Sequence, residues 1–163
     1  MLVHTLRRFK SRATLVLLTA LSATPVLAQT ANFASLTLSQ GFSPSDGVVS
    51  GFTGGSYSLA AISNSDRQNN RCIGFASPTP DHIMVLERDF PKLTVQVNSG
   101  GSDTTLLIKG PGNENTIRCG DDTGSNKDAS ISDTNWKAGR YSIWVGTFEE
   151  GVRRDYSLSV EQE

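Results

Sequence analysis

The sequence contains no long apolar run. The longest, Ala13 to Leu21, is nine residues, against the roughly 20 that span a bilayer, so a polytopic membrane protein is excluded. Only 19% of residues are charged, too few for a coiled coil or a highly charged disordered chain. No stretch of a dozen residues keeps a 3.6-residue apolar period, the signature of an amphipathic helix. Cysteine and histidine are scarce, with two of each. Catalytic signatures are missing as well. There is no H-E-x-x-H, no P-loop, no dinucleotide fingerprint after a strand and no G-x-S-x-G elbow.

What is present begins with an address. Arg7, Arg8, Lys10 and Arg12 precede the apolar run without an acid among them, and Pro25 ends the apolar stretch. Val26-Leu27-Ala28 before Gln29 fits the small-x-small cleavage rule. Basic start, short apolar segment and cleavage site together read as a signal peptide, residues 1–28, removed after Ala28. The remaining 135 residues, 29–163, suit a single domain. They hold 11 basic and 16 acidic side chains, so the near-neutral charge of the whole becomes −5. A mildly acidic exported domain with no basic stripe has no electrostatic reason to bind nucleic acid or an anionic membrane, and no anchor remains after cleavage. The expected location is the periplasm or the medium.

Short period-2 alternation recurs between turn signals in this part. Leu93, Val95 and Val97 alternate with Thr94 and Gln96. Leu106 and Ile108 follow, then Tyr141, Ile143 and Val145, and finally Tyr156, Leu158 and Val160. Weaker candidates are Leu36–Leu38, Val48–Phe52, Ser56–Ile62, His82–Leu86 and Thr116–Cys119. About eight or nine strands predict an all-β fold, an antiparallel β-sandwich of the jelly-roll kind. Gly120 to Asp133 reads as a long polar loop, and Asn64 to Asn70 as an exposed one. Cys72 and Cys119 form the expected disulfide of an oxidising compartment. Two cysteines and one mature histidine fall short of a structural zinc site.

The C-terminal half resembles a known family. Asp103-Thr104-Thr105-Leu106-Leu107-Ile108 leads to Cys119-Gly120-Asp121-Asp122. Then come Ala138-Gly139-Arg140-Tyr141-Ser142-Ile143-Trp144-Val145 and Tyr156-Ser157-Leu158. This resembles the bacterial pre-peptidase C-terminal domain in its small, stand-alone secreted form. Cys72-Ile73-Gly74 and Pro80-Asp81-His82 sit where such proteins have a Cys-Gly and a Pro-Asp-His. The likeness runs over residues 72–160 and is clearest over 103–158. It implies a β-sandwich jelly roll that accompanies exported enzymes as a non-catalytic binding or accessory module. The ligand class stays open between a polysaccharide, a peptide and another exported protein.

Three sets of residues are candidates for chemistry. Asp121, Asp122, Asn126 and Asp128 crowd one loop, and Asp103 could join them, so calcium is the cofactor this region could hold. Related collagenase modules bind calcium, partly through an N-terminal linker that this sequence does not match. The EF-hand register is absent, which favours a solvated loop whose side chains bond local backbone. His82, the only histidine after the leader, could serve a small hydrolase, but with no nucleophile elbow it reads better as a hydrogen-bonded strand-edge residue. A third alternative is a structural envelope protein with no small ligand. Glu149-Glu150 reads as a solvated turn. Among the aromatics, Tyr141 and Tyr156 share the phase of core residues. Trp144 has the opposite phase and is the candidate ligand-binding aromatic.

Overall fold

The computed structural model describes residue 1, residues 30–111 and residues 116–163. The leader therefore lies outside the described residues, its first residue apart. Among those described, no helix is long and apolar enough to cross a membrane. The described residues form an all-β fold, with eleven strands in two sheets. They are β1 (Leu36–Leu38), β2 (Val48–Phe52), β3 (Tyr57–Ser58), β4 (Phe75–Ala76), β5 (His82–Leu86), β6 (Phe90–Asn98), β7 (Thr104–Lys109), β8 (Ile117–Gly120), β9 (Ser130–Trp136), β10 (Gly139–Thr147) and β11 (Asp155–Gln162).

The smaller sheet runs β2-β11-β6-β9, antiparallel throughout. The larger is built on β10. Ser142 and Ile143 pair with β5 and β7 at once, so those two strands flank β10, and β8 lies beyond β7. The short β4 and β3 extend the β5 side, and β1 closes that edge in parallel with β5.

The alternating residues place the core between the sheets. Leu93, Val95 and Val97 of β6 and Leu158 and Val160 of β11 meet Leu106, Ile108, Tyr141, Ile143 and Val145 of the larger sheet. The smaller sheet turns its other face to water, which is why its strands alternate cleanly. The larger sheet is covered on both faces. Residues 141–147 of β10 and 104–108 of β7 are buried without a break, because the segment from Leu59 to Gly74 crosses the outer face. Leu59, Cys72, Leu107, Cys119 and Trp144 form a second, smaller core there. The Cys72–Cys119 disulfide pins this segment to β8, closing a separation of 47 residues. Chain entropy makes such a loop worth about 4 kcal/mol.

Three expectations are corrected. Ser56–Ile62 is not one strand: β3 holds two residues, and Leu59–Ala61 is a 3-10 turn that drops Leu59 into the second core. Gly120 to Asp133 is not all loop, since β9 begins at Ser130. Its inward positions are Ile131, Asp133 and Trp136, and a buried acid hides the apolar alternation. Asp133 accepts from Arg118 Nε at 2.7 Å, and the guanidinium, 2% exposed, lies 4.0 Å from the Trp136 ring centre. Trp144 is not exposed but 6% accessible. Its phase does point away from the main core, but the disulfide-pinned segment covers that face.

Candidate functional site

Asp81, just before β5, and His82, its first residue, hold the N-terminal strap, residues 30–35, across one end of the sandwich. The Asn32 and Phe33 amides donate to the Pro80 and Asp81 carbonyls at 3.0 and 2.9 Å. The Asp81 carboxylate accepts from Asn32 Nδ2 at 3.0 Å and from the Val145 amide at 2.9 Å. It is 3% exposed. Burial pushes this carboxyl up to about 6, although both hydrogen bonds act to lower it. His82 is 0% exposed. Its Nδ1 meets the Ala34 carbonyl at 2.7 Å and its Nε2 the Tyr156 hydroxyl at 2.9 Å. A carbonyl can only accept, so Nδ1 carries the proton and Nε2 accepts from tyrosine. Burial holds the imidazole below its ordinary value and pushes the Tyr156 phenol up. Both ring nitrogens are committed to structure, so the cluster is a latch for the strap.

The acidic candidates divide. Carboxylate atoms of Asp103, Asp121 and Asp122 lie within 4.8 Å of one another. One Asp121 oxygen is buried without a hydrogen-bond partner. Burial raises the Asp121 carboxyl, and the neighbouring Asp122 charge adds to the rise. Lys127 Nζ contacts Asp103 at 2.6 Å and stands as the local counter-charge. Asp128 points elsewhere. It is buried and accepts from the Ser99 and Gly101 amides, at 2.9 and 3.0 Å, and from the Ser99 hydroxyl. Asn126 Oδ1 accepts from the Asp128 amide at 3.2 Å. Three of the five therefore converge, and two shape the turn, as local Asx bonding predicts.

Sequence reasoning passed over an aromatic pair at this end. Phe33 of the strap and Phe52 of β2 stack edge to face, with ring centres 4.8 Å apart. The Arg153 guanidinium caps Phe52 at 3.4 Å, yet Phe52 stays 39% exposed. Gly51 makes the ridge possible. A Cβ there would stand 2.6 Å from the Tyr156 hydroxyl and 2.8 Å from Phe33 Cδ2. A cleft of about 550 Å³ lies on one side of the ridge, between it and Asn32, Ser77 and Asp81. A shallower hollow of about 590 Å³ lies on the other, floored by Ser50, Asn98 and Ser157. The signal was in the alternation: Phe52 shares the phase of Val48 and Ser50, opposite to the inward Val49.

This architecture defines the class, a disulfide-pinned two-sheet β-sandwich with an N-terminal strap. Against known proteins, no protein-family model matches the chain, and no curated protein matches it. Solved structures do match. One is the pre-peptidase C-terminal domain of a Bacillus anthracis collagenase, at 14% identity and a TM-score of 0.42, covering 78% of this chain and 94% of that one. A surface-associated copper-binding protein of Methylomicrobium album BG8 matches at 8% identity and a TM-score of 0.47, over 82% and 100%. A periplasmic inhibitor of g-type lysozyme from Aeromonas hydrophila matches at 17% and 0.38, over 80% and 98%. The first is a member of the family that residues 72–160 resemble.

Proposed function

We propose that the mature chain, residues 29–163, is an exported, non-catalytic binding module that works in the periplasm or the medium. The observation that carries this is the state of His82. A general base must reach a nucleophile and a substrate, whereas this imidazole is sealed between Ala34 and Tyr156. The open surface lies nearby instead, in the cleft beside Phe33, Phe52 and Arg153, where polar and aromatic side chains converge. The ligand is a glycan, a peptide or another exported protein. The test is titration of the mature chain against representatives of each, alongside hydrolase assays of wild type and His82→Gln. Saturable binding without turnover supports the module. Turnover that disappears in the variant overturns it.

Calcium is part of the proposal. Asp103, Asp121 and Asp122 would supply the carboxylates, and the orphaned Asp121 oxygen has the hard-donor chemistry the ion prefers. A cation bound only by the folded state raises the melting temperature, and chelation reverses the rise. The same rise in Asp121→Asn would refute this assignment.

A further inference from the structure

We infer that the two hollows flanking the Phe33–Phe52 ridge are adjacent subsites for a neutral polysaccharide chain. This rests on the binding-module reading and names its ligand class. The ridge is held in place before any ligand arrives. Phe33 is fixed by the hydrogen bond its backbone amide donates to the Asp81 carbonyl, and its ring packs 5.7 Å from His82 and 4.8 Å from Phe52. An aromatic already held in place loses little freedom on binding. Phe52, 39% exposed beside its Arg153 cap, and the half-buried Phe33 offer apolar ring surface to the C–H face of a sugar, and the hydroxyls around a sugar ring then need donors and acceptors at the side.

The strand rows on the outer face of the smaller sheet supply them from uncharged side chains. Strand register places Ser50, Ser157 and Asn98 side by side across β2, β11 and β6 on the outer face. The next row is Val48, Ser159, Gln96 and Ser130. Neither row contains a charged residue, so an uncharged polyol desolvates no ion when it lies across them. At the ridge itself Arg153 and Asp155, which pairs with Phe52, bring one charge of each sign. A polyanion would meet Asp155 as well as Arg153 and gains no net attraction. A purely apolar partner would leave the serine and amide floor unpaired. On the other side of the ridge, Asn32 and Ser77 add uncharged hydrogen-bonding groups to a cleft whose charged lining is Arg153 and the buried Asp81.

The test uses the mature chain with a soluble neutral β-glucan, a polyuronate of similar length and an extended peptide. Binding is read by calorimetry for wild type, Phe52→Ala, Ser157→Glu and, as a control exposed aromatic, Tyr57→Ala. The neutral glucan is expected to bind wild type and Tyr57→Ala alike. Phe52→Ala should weaken it by roughly tenfold, and Ser157→Glu, which plants a charge on the floor, should abolish it. Unchanged unfolding midpoints separate these losses from misfolding. Glucan binding that ignores both variants, or preference for the polyuronate, overturns the site. Peptide binding with no glucan binding overturns the ligand class and leaves the module reading standing. Binding of none of the three fails both.

Discussion

The Asp81 carboxyl is the sharpest quantitative test of the strap latch. Its folded value lies near 6, against 3.8 for the free group, because burial disfavours the charged form. An acid with a raised folded value holds its proton more tightly in the fold. The fold therefore gains stability as pH falls through 6, with the gain complete below 3.8, and loses it again as pH rises. Integrating between these two values gives about 1.4 kcal/mol gained from pH 7.5 to pH 5, and about 2.4 kcal/mol by pH 4. His82 works in the opposite sense. Its folded value is depressed, so its contribution is present above its unfolded value and is lost on acidification. The two offset each other in the wild-type profile, and a difference measurement is needed. Asp81→Asn keeps an oxygen to accept from Val145 but cannot ionise. Urea unfolding of wild type and variant at pH 7.5, 6, 5 and 4, followed by tryptophan fluorescence, gives the difference at each pH. The wild type should gain on the variant by the amounts above as pH falls. A difference independent of pH, or one of opposite slope, refutes the buried-carboxylate account of the latch.

Other outcomes follow from the packing. Replacing both Cys72 and Cys119 by alanine should lower stability by about 4 kcal/mol, read as a drop in urea midpoint, and should expose Trp144 to iodide quenching. In the intact protein both tryptophans are buried, so emission should be blue-shifted and resist iodide. Trp144→Ala removes the largest side chain of the second core and should cost about 3–5 kcal/mol; a loss well under 1 kcal/mol would mean the segment above it is loosely held. Asp133→Ala leaves Arg118 buried without its ionic partner and should cost about 3–5 kcal/mol, measured by denaturant unfolding.

Much of the sandwich was legible because alternation survives where one face of a strand is wet. Leu93 to Val97 and Tyr156 to Val160 could be read directly. β9 could not, because its inward Asp133 looks polar in sequence and becomes a core residue only through Arg118 on another strand. Trp144 was assigned to the correct face, but no local signal says that a segment some 80 residues earlier in the chain covers it. Three of the five oxygen-bearing candidates converge because β7 and β8 pair side by side. Asp128 and Asn126 are claimed by nearby backbone instead.

By itself the sequence determined what depends on local chemistry: the leader-like start, the strand periodicity, the polar turns and two cysteines suited to one bridge. These follow from composition and from neighbours within a few residues. Only the tertiary structure decided that the larger sheet is buried on both faces, that His82 is a latch, and that Phe33 and Phe52 form an exposed ridge. Each of those depends on contacts between residues 19 or more positions apart, which no local pattern encodes.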